Sequence, residues 1–232
     1  MRPIALEQAR VYIIVAAYNE AASIGDVVRE LREQYAHVIV FDDGSVDETG
    51  DLALAAGATV LTHLINRGQG AALQTGITYA LNQGADYIVT FDADGQHDVA
   101  DIARLLTPIS EGTVHAALGS RFLERGAKKI PVGRRVTLFL AVLFTRFTAR
   151  ARLTDAHNGL RAFSRHAAEH IDLQLDRMAH ASEIVDQIVS SGLPYTEVSV
   201  HVRYTDYSLR KGQRNTAAFR VAFDYLMARL LR

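Results

Sequence analysis

Between residues 11 and 92, four apolar runs alternate with three helical stripes, and this alternation constrains the fold more than anything else in the chain. The runs are Val11–Ala16, His37–Phe41, about residues 58–62 and about residues 86–91. Continuous apolar segments of that length mark strands buried on both faces. The first stripe places Ile24, Val27, Val28 and Leu31 at i, i+3, i+4 and i+7, with Ser23 as its candidate N-cap. The second runs through Leu52 and Ala56 to a C-capping Gly57, and the third carries Leu73, Ile77, Ala80 and Leu81 and ends near Gly84. Strand–helix alternation predicts an α/β fold whose central sheet is mainly parallel, with right-handed crossovers and flanking helices. In such sheets ligands gather beyond the carboxyl ends of the strands. Tyr18 and Glu20, Asp42 and Asp43, and Asp92 and Asp94 all follow strand ends, so these pairs are expected on one rim.

The remainder continues in the same style. Val99, Ile102, Leu105, Leu106 and Ile109 form another stripe, and a short strand over 114–118 leads to Gly119-Ser120-Arg121. Pro131 to Arg134 suits a loop, and a helix follows over about 135–151. Residues 154–163 suit a polar turn and short strand, 182–191 a helix stopped by Gly192 and Pro194, and 195–204 a strand. A C-terminal amphipathic helix is expected over 216–232. At 232 residues, with no repeat or boundary, one domain over 1–232 is expected.

Charge divides that domain. Residues 1–112 hold 6 Lys/Arg against 16 Asp/Glu, a net of −10, while 113–232 hold 19 against 10, a net of +9. An acidic half suited to a cation therefore joins a basic half suited to an anion, although two ordinary solvated faces would look the same. Without cysteine, disulfides and thiolate zinc sites are excluded. Met1 to Glu7 lacks the apolar core of a signal peptide, and the apolar stretch Val136–Phe144 falls short of the ~20 residues a spanning helix needs. A cytoplasmic address follows as an expectation.

The chemistry concentrates in Ile88-Val-Thr-Phe-Asp92-Ala-Asp94-Gly-Gln96-His97. Side chains two apart on an extended chain point the same way, so Asp92 and Asp94 can converge on one centre. Carboxylate oxygens suit Mg²⁺ or Mn²⁺, which leave positions for substrate phosphates. A polar loop capping a strand would carry the same residues. Gly68, Gly70 and Gly76 follow neither the Walker pattern nor Gly-x-Gly-x-x-Gly, and close packing beneath the site is the better account of them. No Gly-x-Ser-x-Gly or His-Glu-x-x-His is present; His63, His166, His170 and His180 suit structural or surface roles.

Ala16-Ala17-Tyr18-Asn19-Glu20, Asp42-Asp43-Gly44-Ser45 with Asp47 and Thr49, Asn66-Arg67-Gly68-x-Gly70 and Asp92-Ala93-Asp94-Gly95-Gln96 form an ordered series. Gly119-Ser120-Arg121 and Asn158-Gly159-Leu160-Arg161-Ala162-Phe163 continue it. The series resembles that of inverting family 2 glycosyltransferases of the GT-A fold, over about residues 11–205. Its later motifs resemble the branch that makes polyprenyl-phosphate sugars, as dolichyl-phosphate mannose synthases do. The resemblance implies that Asp94 and Gln96 hold the metal, with Asp92 in its shell or near the nucleotide. It implies base and ribose contacts from Ala16, Tyr18, Glu20 and Asp43, with Asp42 a nucleotide contact or a support for the turn. Residues 11–112 would then be the nucleotide-sugar and metal half, and 113–232 the acceptor half.

A lipid phosphate acceptor is already anionic and needs positive charge to position it, which Arg121 with Arg134 or Arg135 could supply. A sugar hydroxyl acceptor would need a carboxylate base, Glu183 first and Asp155 second. Relatives usually close a late loop with Arg followed by Gly-x-Ser-Lys; here Arg210-Lys211-Gly212-Gln213-Arg214 is basic but differently spaced, a candidate lid over diphosphate or acceptor. The stripe Val136, Leu140, Leu143, Phe144 and Phe147, flanked by arginines, suits a helix lying in an anionic membrane interface, a core helix or a homodimer contact. The expectation is sugar transfer from a UDP- or GDP-sugar to a polyprenyl phosphate at the inner membrane face, with no nucleic-acid partner. Transfer to a glycan hydroxyl is the other enzymatic reading. A non-catalytic nucleotide-sugar sensor is the reading from another class, and a nucleotidylyltransferase lacks its N-terminal Gly-rich signature here.

Overall fold

A computed structural model describes residues 6–123, 153–155, 158–175 and 180–203. A 3₁₀ turn, Leu6–Gln8, precedes strands β1 (Val11–Ala17), β2 (His37–Asp42), β3 (Thr59–Thr62) and β4 (Tyr87–Asp92). Helices α1 (Ile24–Arg32), α2 (Thr49–Ala55) and α3 (Gln69–Asn82) connect them. Then come α4 (Ala100–Ser110), β5 (Ala116–Ser120), β6 (Arg161–Ser164), α5 (Arg165–Ala168), α6 (His180–Ser190) and β7 (Tyr195–Ser199). The seven strands lie in the order β3-β2-β1-β4-β6-β5-β7. All pairs are parallel except those of β6, which runs antiparallel to both β4 and β5.

Strand alternation divides the apolar residues between two layers. Ile13 and Val15 of β1 face Ile24, Val28 and Leu31 of α1 and Ile102 and Leu105 of α4. Ile14 of β1 and Phe41 of β2 face Ala72, Leu73 and Ile77 of α3 and Ile184 and Ile188 of α6. Each such side chain, fully buried, contributes roughly 1.5–3 kcal/mol, so the double-sided runs dominate the stability of the sheet. Because α1 and α2 cover one face and α3 the other, the winding reverses between β1 and β4. That reversal opens a crevice at their carboxyl ends.

Gly70 and Gly76 do serve close packing. A Cβ at Gly76 would run into Ile14 and Phe41, and one at Gly70 into the Leu175 carbonyl. Two expectations need correction. Ser23 precedes α1 but makes no side-chain cap; its hydroxyl donates instead to the Glu20 carbonyl and carboxylate, both at 3.3 Å. The strand expected over 195–204 ends at Ser199, because beyond Val200 the chain leaves the sheet edge for the strand-end rim. The helices expected over 135–151 and 216–232, and the loop around Pro131, lie outside the described residues. Among the described residues no helix is long and apolar enough to cross a membrane.

Candidate active site

Register brings the three acidic clusters to one rim. Ala17 pairs with Asp42 and Ala16 with Asp92, and the Asp43 N–H donates to the Ala17 carbonyl at 2.9 Å. The strand ends of β1, β2 and β4 are thus level, and their loops emerge together at the crevice.

On the β1–β2 side the two loops are laced to each other. Asn19, held at φ 53°, accepts from the Val46 N–H at 3.0 Å and donates its own N–H to Ser45 Oγ at 3.0 Å. The Glu20 N–H donates to Thr49 Oγ1 at 2.8 Å, and that of Ala21 to Asp47 at 3.3 Å. Asn19, Ser45, Asp47 and Thr49 stand in the motifs, but the sequence alone pointed to no role for them. Here Asn19, Ser45, Asp47 and Thr49 set the shape that presents Tyr18, 42% exposed, and Glu20 at the rim. Asp42 supports its turn by accepting the Ser45 N–H at 2.9 Å. Asp43 is 2% exposed. Its carboxylate accepts the Arg67 N–H at 3.0 Å and the Gly68 N–H at 2.6 Å, and meets His63 Nδ1 at 2.8 Å. It fastens the Asn66–Gly70 loop to the end of β2, and His63 continues the chain to Thr75 of α3 at 3.1 Å.

The centre is the turn after β4. Asp92 meets His97 Nε2 at 3.0 Å and accepts from Gln69 Nε2 at 3.3 Å. Gly159 lies against the same carboxylate so tightly that any Cβ would collide with it, and the Gly159 carbonyl accepts from Thr90 Oγ1 at 2.7 Å. Buried Arg161 donates through Nε to the Asn158 carbonyl at 2.9 Å. Burial alone would raise the Asp92 carboxyl, but the His97 hydrogen bond and the charges of His97, Arg161 and His180 hold it below the usual range. Arg161 itself is lowered to about 10 by burial, against the opposing pull of Asp92 and Asp155.

Asp94 goes the other way. Burial first, then the neighbouring Asp92 charge, and more weakly Glu20, push its carboxyl up, against the Gln96 N–H and His97. Its oxygens accept the Gln96 N–H at 3.0 Å and Gln96 Nε2 at 2.6 Å. A carboxylate so placed is short of positive charge. Among the described residues no group of three or more His, Asp or Glu is placed to hold a metal ion. Two carboxylates and a glutamine carbonyl are nevertheless an all-oxygen partial set of the kind Mg²⁺ and Mn²⁺ accept when substrate phosphates complete the shell. Among the described residues, two buried nitrogens here, His97 Nδ1 and Asn158 Nδ2, have no hydrogen-bond partner.

On the β5 side Arg121 grips Asp155 through Nε at 2.6 Å and Nη2 at 2.8 Å, with side chains 10% and 1% exposed. The Asp155 N–H donates to Glu197 at 3.0 Å. Glu183, 3% exposed on α6, accepts the Gln174 N–H at 3.2 Å and the Leu175 N–H at 2.9 Å. Both residues named as candidate bases are therefore already engaged, Asp155 by a guanidinium and Glu183 by a loop backbone. Arg134 and Arg135, and the basic loop residues Arg210, Lys211 and Arg214, lie outside the described residues.

Residues 12–172 match the model of Glycosyl transferase family 2. A UDP-N-acetylglucosamine–dolichyl-phosphate N-acetylglucosaminyltransferase of Methanococcus voltae is 31% identical over 241 residues, covering 95% of this chain and 96% of the relative. A polyprenol monophosphomannose synthase of Mycolicibacterium smegmatis is 31% identical, covering 82% and 76%. Among solved structures, glucosyl-3-phosphoglycerate synthase of Mycobacterium tuberculosis in complex with Mn²⁺, UDP and glucosyl-3-phosphoglycerate superposes with a TM-score of 0.68, at 16% identity, over 94% of this chain and 80% of that one. At that identity the likeness is one of fold.

Proposed function

The chain belongs to glycosyl transferase family 2, and from that premise we propose that it transfers a sugar, with inversion, from a UDP- or GDP-sugar to a polyprenyl phosphate. Asp94 and Gln96, with Asp92, would hold Mg²⁺ or Mn²⁺. The ion, when bound, supplies positive charge to the departing nucleoside diphosphate. The observation that carries the reading is the Asp92–Asp94 pair at the reversal point of the sheet, where burial and like charge leave Asp94 short of a cation.

The remaining roles fall to the chain's own residues. Tyr18 presents a half-exposed ring for the base, and the laced Asn19–Thr49 loops fix its setting. His97, Gln69 and Gly159 hold Asp92 in one orientation. An acceptor phosphate oxygen attacks the anomeric carbon as the bond to the diphosphate breaks, and the nucleoside diphosphate leaves with the electron pair. An anionic phosphate has no proton to lose, so no base is required, in keeping with Glu183 and Asp155 being already engaged. The printed activities of the dolichyl- and polyprenol-linked relatives support the same acceptor class. A peripheral seat at the inner membrane face accompanies that acceptor.

Incubation with UDP- and GDP-sugars, Mn²⁺ and a polyprenyl phosphate should release the nucleoside diphosphate and yield a lipid-linked sugar. Release only with a glycan hydroxyl acceptor would move the reading to glycan elongation. Nucleotide binding without turnover on either acceptor would make the protein a sensor.

A further inference from the structure

We infer that Arg203 is a positioning residue for the metal and diphosphate motif, acting as the latch of a short strap, His201–Arg203, that pins the Asp94–Asp98 turn. The inference rests on the transferase reading and extends it to a residue outside the motifs.

The strap crosses a long way in few residues. Among the described residues β7 is the edge strand, separated from β4 by β6 and β5. The Val200 N–H still donates along the sheet, to the Ser120 carbonyl at 3.0 Å. The His201 N–H then donates to the buried Asp101 carboxylate at 2.7 Å. Val202 forms an antiparallel bridge with His97, and the Arg203 N–H donates to the Gln96 carbonyl at 2.8 Å. The Arg203 guanidinium donates to Asp98 at 2.8 Å and lies 4.0 Å from Glu30 of α1.

Those contacts converge on the residues that would ligate the ion. Gln96 is held from both sides, its carbonyl by Arg203 and its N–H and amide by Asp94. His97, which orients Asp92, is the bridge partner of Val202. Asp98 accepts both Arg203 and the Ala100 N–H at 3.0 Å, tying the latch to the start of α4. The Arg203 side chain is half exposed and adds nothing to the apolar core. Its hydrogen bonds go to the turn, and its weaker contact with Glu30 ties the turn to α1. Ligands held in one arrangement before the ion arrives bind it more tightly, so loss of the latch weakens ion and diphosphate binding and leaves the chemical step.

Mn²⁺-dependent binding of UDP and GDP, followed by thermal shift, tests this. Arg203→Ala should raise the half-saturating Mn²⁺ by roughly threefold to fivefold, the upper part of what an exposed ion pair carries. Turnover at saturating Mn²⁺ should stay within about twofold, and Arg203→Lys should recover most of the binding. Asp98→Asn should match Arg203→Ala and add nothing to it. In a Gln96→Ala background Arg203→Ala should have no further effect. An unchanged Mn²⁺ requirement in Arg203→Ala, or the same multiplicative loss in both backgrounds, would overturn the inference. Should the wild-type protein bind neither nucleotide with Mn²⁺, the transferase reading itself fails. Amide exchange at residues 95–97 of the metal-free protein then decides the latch: faster exchange in Arg203→Ala upholds it, and unchanged exchange ends it.

Discussion

Asp92 and Asp94 stand two residues apart, yet the fold treats their charges oppositely. Asp92 ionises more readily than a free carboxyl because His97, Arg161 and His180 outweigh its burial, whereas burial and the Asp92 charge hold Asp94 toward its neutral form. The sign for stability follows from linkage. Asp92, lowered on folding, stabilises the protein above its unfolded value, and this is lost as pH falls through the folded value. Asp94, raised on folding, costs stability as pH rises through its folded value, unless a cation is present. Asp94→Asn should therefore abolish metal-dependent transfer while raising the melting temperature of the metal-free protein by a degree or more, since ~1 kcal/mol corresponds to about 2–4 °C at this size. Asp92→Ala should abolish transfer and also destabilise, by roughly 3 kcal/mol, because buried Arg161 and His97 lose the carboxylate charge that offsets their burial. Calorimetry of the two variants without metal, at neutral pH, separates them; equal destabilisation would refute the opposed roles. The i, i+2 spacing announced that the two carboxylates share a centre. It could not announce which would be penalised, because Gly159 and Arg161 reach Asp92 from a segment nearly seventy residues away.

At the scale of elements, periodicity located the helices and strands of the described residues well, while the contacts that end them depended on backbone angles. Ser23 sits where a cap belongs, but its φ of −128° and ψ of −30° turn the hydroxyl back toward Glu20. Ser164, passed over in the sequence, has an extended backbone and caps α5 by accepting the Ala167 N–H at 3.2 Å, while meeting His115 Nδ1 at 3.0 Å. Urea unfolding should accordingly show Ser23→Ala within about 0.5 kcal/mol of wild type and Ser164→Ala destabilised by about 1 kcal/mol or more. The α3 glycines give a sharper case. Alanine suits a helix interior better than glycine by ~1 kcal/mol, yet at Gly76 its methyl would press on Ile14 and Phe41. Gly76→Ala should thus lower stability by about 1–3 kcal/mol despite the helix gain, and a stabilised variant would show that β1 and β2 can yield.

Across the whole molecule, the first four parallel strands and the acidic rim were legible because each rests on a continuous apolar run, whereas the strand order that reverses between β1 and β4 came only with the structure. The second half was less so: β6 is only four residues long and antiparallel, and β5 and β6 meet through segments far apart in the chain. The same distance hid the pairing of Arg121 with Asp155, which the sequence offered as a phosphate ligand and a base respectively. That pairing complicates the obvious test of the acceptor side. Arg121→Ala alone takes the guanidinium away from a buried carboxylate and should cost roughly 3–5 kcal/mol, so lost activity would say nothing about phosphate. Arg121→Ala with Asp155→Ala removes both charges and should recover much of that stability. If Arg121 also steers the acceptor, the folded double variant should still bind the donor nucleotide with Mn²⁺ but transfer to a polyprenyl phosphate at least tenfold more slowly, a loss of about 1.4 kcal/mol in transition-state stabilisation. Glu183→Gln, by contrast, should leave transfer to the lipid phosphate within a few fold, since no proton has to be removed. A double variant as active as wild type would confine Arg121 to holding Asp155, and a Glu183→Gln variant without lipid-phosphate activity would restore the need for a base.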